Sequence, residues 1–83
     1  MQNCFELEIV RPTKTELIKI EWVEVQSPNG NFVVGPDHSP IVSVLKYRGK
    51  LTYKEVGVEE QVVDIYGGIF SLVDSRATVV LDI

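Results

Sequence analysis

The sequence predicts an all-β chain, folded as an antiparallel sandwich or flattened barrel of many short strands. Three observations carry that reading. Apolar and polar residues alternate in "FELEI" and "TVVLDI", the period of two expected of a strand with one buried face. Turn-forming residues punctuate the chain at short intervals. No segment offers a capped helical stripe of about ten residues or more.

The elements follow in order. In "CFELEIV", Phe5, Leu7 and Ile9 alternate with Glu6 and Glu8, and "RPTK" ends the run because Pro12 cannot donate to a ladder. "TELIKIEWVEVQ" starts with Ile18, Ile20 and Trp22 in phase, then switches to Val23 and Val25. A phase switch of one residue predicts a bulge or bend near Trp22. "SPNG" is a turn in which Pro28 presets one backbone angle and Gly30 tolerates unusual ones. "NFVV" precedes the loop "GPDHSP", and "IVSVLKY", "KLTYKEV" and "QVVDIY" follow with short turns between them. Gly67 and Gly68 then permit positive backbone angles before "IFSLV", and "DSR" makes a tight connection to "ATVVLDI".

With 83 residues, the chain fits one domain spanning 1–83, and 45% hydrophobic residues suffice for a packed core. The net charge of −4 argues against a nucleic-acid partner, which calls for a basic face to neutralise phosphates. Cys4 is the one cysteine, so no internal disulfide forms and a reducing compartment is expected. No apolar stretch approaches the roughly 20 residues of a membrane helix, and no signal peptide is evident.

The search for chemistry yields no constellation. His38 and Cys4 are far apart in sequence, without zinc-site spacing. Asp37 and Ser39 flank His38, but neighbours on an extended chain point to opposite sides. "YGGIF" is not a phosphate-binding loop, since no Lys-Ser/Thr follows the glycines. Catalytic residues, cofactors, nucleotides and metals are therefore not expected. His38, with two ring nitrogens able to hold two neighbours, is expected to be buried or in an interface.

Three stretches carry a family resemblance. "GNFVVGPDHSPIVSVLK", with its Pro-x-His-x-Pro element, resembles a segment of the epsilon subunit of F-type ATP synthases. "DIYGGIFSLVDSRATVVLD" resembles that family's Gly-Gly strand and final strand, and "FELEIVRPTK" resembles its opening strand. Several positions depart from the pattern. Asn31 replaces the usual acid, Val33 a glycine, Asp37 a glycine, Ser39 an alanine and Tyr66 a serine. Lys19 and Ile20 stand where the second strand usually has glycine.

The resemblance implies the amino-terminal domain, a flattened antiparallel sandwich of about ten short strands, of a non-catalytic rotor subunit, which fastens the gamma subunit to the c-subunit ring of the membrane sector. It implies a peripheral position at the cytoplasmic face of a bacterial inner membrane, without membrane insertion. It places Arg11, His38 and Ser43 toward gamma, and Asn29, Gly30, Asn31 and Phe32 in a loop facing the c ring. Gly35, Pro36 and Pro40, with Gly67 and Gly68, are expected to keep the loops stiff. The neutral Asn31 predicts a ring contact with weak salt dependence. The family usually continues into a helical hairpin that inhibits the enzyme, and that function is expected to be absent here. A free-standing sandwich that binds a ligand or another protein is the alternative. A stalk component should expose one apolar face, and a ligand binder a concave pocket.

Overall fold

A computed structural model describes residues 3–81. They form eight strands: β1 (Phe5–Val10), β2 (Thr15–Ser27), β3 (Gly30–Val34), β4 (Ile41–Val44), β5 (Lys50–Glu55), β6 (Glu60–Asp64), β7 (Gly68–Val73) and β8 (Arg76–Leu81). The last two residues of the stretch "ATVVLDI" lie outside the described residues.

The strands make one continuous sheet in the order β4-β7-β8-β1-β2-β5-β6, with β3 also paired to β2. Strand β2 is the corner. Its first half, Thr15 to Ile20, pairs with β1. Its second half, from Val23, pairs with β3 on that same edge, while β5 takes the other edge. One layer is thus β4-β7-β8-β1 with the first half of β2, and the other is β3, β5 and β6 with the second half. Eight strands fill both layers, matching the eight apolar runs of the sequence and fewer than the ten that the resemblance implies, because β2 serves twice. The pairing of β1 with β8 is parallel, the one departure from the antiparallel expectation.

The bulge lies where the phase switch predicts it. Ile20 pairs with Glu55 and Trp22 with Lys54, so Glu21 is the extra residue between them. Without it, the alternation that buries Ile20 would turn Val23 and Val25 to solvent. With it, all three are fully buried.

The core fills the space between the layers. Phe5, Leu7, Ile9, Phe70, Leu72 and Val79 enter from the first layer, and Val23, Val25, Val34, Leu51 and Tyr53 from the second. Phe32 meets Phe70 across the gap, edge to face, with ring centroids 6.3 Å apart. Among the described residues no polar or charged side chain is buried. Burial of apolar area therefore supplies the stability, at roughly 25 cal/mol per Å² removed from water.

Tyr53 carries the one ionisable group that this core perturbs clearly. Burial pushes its phenol above the ordinary value, and the nearby carboxylates of Glu16 and Glu55 add to the rise. In the unfolded chain the phenol ionises near pH ~10, before the folded chain releases its proton. The contribution to stability is therefore fully present below about pH 10 and is lost as pH rises through the folded value. Melting temperatures measured from about pH 8 to pH 11 should fall less steeply for Tyr53→Phe than for wild type. Equal slopes would refute this account.

Candidate docking surfaces

The two outer faces of the sandwich differ in chemistry. On the first layer, register aligns Val44 with Ile69, Ile69 with Val80 and Val80 with Val10. These four make a cross-strand apolar row about 14 Å long at the usual strand spacing of ~4.8 Å. Val44 is 61% exposed, Ile69 50% and Val80 47%. Val42 and Val73 extend the face as exposed valines. On the second layer, the outward positions are mainly polar. Lys50 bonds Asp64 at 2.7 Å, Lys54 pairs with Glu21 at 3.6 Å, and Gln26 accepts from the Lys50 backbone N–H at 2.8 Å.

Strand β4 borders the apolar face and is an edge strand, paired only with β7. The Leu45 N–H donates to the Gly68 carbonyl at 2.9 Å. By antiparallel alternation, the backbone groups of Val42 and Val44 then point to the free edge. The sequence IVSV carries no charge or proline there, the usual protections of an exposed edge. Edge strand β6, in contrast, carries Glu60 and Asp64.

The residues assigned from resemblance spread over this framework. Ser43 lies on β4, half-buried, and its hydroxyl donates to the Val44 carbonyl at 3.1 Å. His38 is exposed within this chain, contrary to the burial that its two ring nitrogens invite. Its Nδ1 lies 2.6 Å from the carbonyl oxygen of its neighbour Ser39, which holds the ring by a local contact alone. Arg11 follows Val10 at the far end of the apolar row and sits 3.8 Å from Glu16. The fold thus sets Arg11, just past the end of β1, three strands away from Ser43 on β4, and does not gather them with His38 at one point.

In the loop assigned to the ring, Asn29 and Gly30 close the β2–β3 turn, where Ser27 donates to the Gly30 carbonyl at 2.7 Å. Asn31 is exposed. Phe32 is turned the other way, because a strand alternates: Asn31 and Val33 face out, Phe32 and Val34 face in. Phe32 packs against the core, so its ring is withdrawn from any ring-facing contact.

The loop before β4 is stiffened by proline rather than by glycine. Gly35 has no positive φ, and a Cβ added there would meet nothing within 4 Å. The His38 N–H reaches the Gly35 carbonyl at 3.3 Å, closing a turn in which Pro36 holds the position that its fixed φ suits. Gly67 and Gly68 do adopt positive φ, 135° and 141°.

Among the described residues, no group of three or more His, Cys, Asp or Glu side chains could hold a metal ion, and no helix is long and apolar enough to cross a membrane. Two open clefts are present. Arg48, Gly49, Asp64, Ile65 and Tyr66 line one of about 280 Å³. Cys4, Phe5, Glu6, Lys19, Asp74 and Ser75 line the other, about 410 Å³. Both are walled largely by turns and exposed side chains, unlike the concave, apolar pockets that hold small ligands.

The apolar row escaped the sequence reading, although a signal was present. "VVL" in β8 and "IF" in β7 place apolar residues side by side, so these strands are apolar on both faces. Only the register shows that the outward ones line up.

The architecture is that of a small two-layer β-sandwich with one apolar outer face and a bare edge strand. The chain belongs to the family of the ATP synthase Delta/Epsilon chain beta-sandwich domain, whose model matches residues 4–83. It is 31% identical over 83 residues to the ATP synthase epsilon chain of Nitratidesulfovibrio vulgaris, covering 99% of this chain and 60% of that one. The chain thus spans about three fifths of that relative's length. Among solved structures, a chain of the Euglena gracilis mitochondrial ATP synthase (OSCP/F1/c-ring) superposes with a TM-score of 0.88 at 17% identity, over 98% of this chain and 52% of that one. A chain of the Tetrahymena thermophila mitochondrial ATP synthase (central stalk and c-ring) gives 0.77 at 16% identity, over 99% and 65%. At such identities the likeness establishes the fold.

Proposed function

We propose that this sandwich is a non-catalytic part of the central stalk of an F-type ATP synthase. It fastens the gamma subunit to the membrane c ring, so that rotation driven by ion flow reaches the catalytic head. It works as a peripheral component on the cytoplasmic face of a bacterial inner membrane, a placement supported by the likeness to a bacterial epsilon chain. The observation that carries the reading is the aligned apolar row of exposed Val44, Ile69 and Val80 with half-buried Val10, beside the free edge of β4. A lone monomer gains nothing by exposing aligned valines and isoleucine, whereas a partner that covers them gains their burial.

Gamma is assigned to this face. His38 lies beyond one end of β4 and Arg11 past the other end of the row, while Ser43 sits on β4 with its side chain on the core side, opposite Phe70. A separation of about 14 Å fits one interface of about 800 Å² per partner. The c ring is assigned to the turn end, where Asn29, Gly30 and Asn31 project.

Replacing both Val44 and Ile69 by Asp puts two charges into the contact without touching the core. Gamma binding should weaken by about two orders of magnitude, or about 3 kcal/mol. The circular dichroism and melting of the free domain should change little. Co-purification of gamma with the double variant at wild-type yield would overturn the assignment of this face.

A further inference from the structure

We infer that the turn end of the sandwich is built to dock on an acidic protein surface, although the chain as a whole is acidic. This deepens the stalk reading and rests on it for the identity of the partner. Four connections meet at this end: Arg11–Lys14, Ser27–Gly30, Lys46–Gly49 and Ile65–Gly68. Backbone hydrogen bonds tie the last three together, and register brings the first beside them, since Val10 is paired with Val80 and Leu81 with Gly68. The Lys46 N–H donates to the Gln26 carbonyl at 2.8 Å, the Gly49 N–H to the Lys46 carbonyl at 3.0 Å, and the Ile65 N–H to the Gly49 carbonyl at 3.0 Å. Within the first connection, the Arg11 N–H donates to the Lys14 carbonyl at 2.8 Å and closes that turn.

These turns, with Lys50 at the start of β5, gather cations from distant parts of the sequence. Arg11, Lys14, Lys46, Arg48 and Lys50 are five of the chain's eight Lys and Arg residues. Two carboxylates answer them among the described residues. Glu16 lies 3.8 Å from Arg11 and 3.4 Å from Lys14, and Asp64 lies 2.7 Å from Lys50. Lys46 and Arg48 have no carboxylate partner among the described residues. At the opposite end Asp37, Glu59 and Asp74 sit on connections and Glu55 closes β5. The fold therefore turns a net charge of −4 into a molecule with a basic end and an acidic end.

The character of the basic end favours protein over lipid. Tyr47 is 65% exposed and Tyr66 51%, and the Arg48 guanidinium stands 5.4 Å from the centroid of the Tyr47 ring. Arg48 is held at φ 58°, in a rigid turn. Tyrosine and arginine on a fixed scaffold are the residues enriched in protein interfaces. The turn tips Pro12-Thr13, Pro28-Asn29, Tyr47-Arg48 and Tyr66-Gly67 supply no aliphatic or tryptophan wedge to sink below headgroups. The cations at this end already take carboxylates from within the chain, the same chemistry that an acidic partner would offer. The neutral Asn31 by itself predicts weak salt dependence, and the cations that the fold places around it predict strong dependence.

The test compares wild type with K46E/R48E, using melting temperature as the folding control. Three probes are titrated separately: poly-L-glutamate, a reconstituted gamma–c-ring complex, and phosphatidylglycerol vesicles. Wild-type affinity for poly-L-glutamate and for the complex should drop about tenfold as salt rises from about 50 to about 500 mM. The variant should bind about tenfold more weakly at low salt and respond little to salt. Salt-independent binding, or a variant that binds like wild type, overturns the inference. Equal or tighter binding to the vesicles, lost in the variant, also overturns it in favour of lipid. Salt-dependent capture by poly-L-glutamate without association with the complex upholds the acidic surface and removes the stalk reading.

Discussion

Gly68→Ala is expected to unfold most of the population or lower the melting temperature by about 15 °C or more. A Cβ at this position would lie 2.1 Å from the Val80 carbonyl oxygen, a backbone atom in the neighbouring strand. Val80 cannot swing aside as a side chain would, so β7 must separate from β8 and lose ladder bonds. The backbone angle adds to the penalty. A φ of 141° is held almost only by glycine and costs a side-chain-bearing residue about 1–3 kcal/mol. With the lost hydrogen bonds, the total reaches about 3 kcal/mol or more. A domain of this size is stable by roughly 4–12 kcal/mol, and each kcal/mol corresponds to about 4–8 °C. Gly35→Ala is the matched control. It has an ordinary φ and open space around its Cβ, so its effect should stay within about 0.5 kcal/mol. Equal melting of the two variants would show that the approach of β7 to β8 does not need glycine.

Phe70→Ala should destabilise the domain by about 3–5 kcal/mol, measured by urea or thermal unfolding. Phe70 is completely buried and stands between its strand neighbours Ser43 and Val79. Its ring also meets Phe32 from the opposite layer, so truncation opens a cavity where the two sheets join. A double-mutant cycle with Phe32→Ala should return a coupling of about 0.5–1.5 kcal/mol for the edge-to-face pair. Zero coupling would mean that the rings are merely adjacent. A loss of about 1 kcal/mol or less for Phe70→Ala would mean that the core collapses around the gap. The pair also explains why Phe32 serves the core rather than a partner: strand alternation leaves Asn31 and Val33 for the outside.

The sequence by itself determined the fold class, the positions of the strands and the corner in β2. Each of these is local. Alternation in "FELEI" needs only the strand's own period, and the slip from Ile20 to Val23 needs only one extra residue, Glu21. The glycine pair and the turn "DSR" were legible for the same reason. Asp74 and Ser75 both take positive φ, 49° and 63°, as a two-residue hairpin turn between twisted strands requires. What only the tertiary structure decided is lateral. Val44, Ile69, Val80 and Val10 become one apolar row because three registers align them, and no register is written within a single strand. The inward turn of Phe32 follows from alternation within β3 alone, whereas the exposure of His38 and the separation of Arg11 from Ser43 also follow from how distant elements are placed. So does the charge asymmetry. A net charge counts residues without regard to place, whereas a docking surface is defined by the cations that folded turns bring to one end.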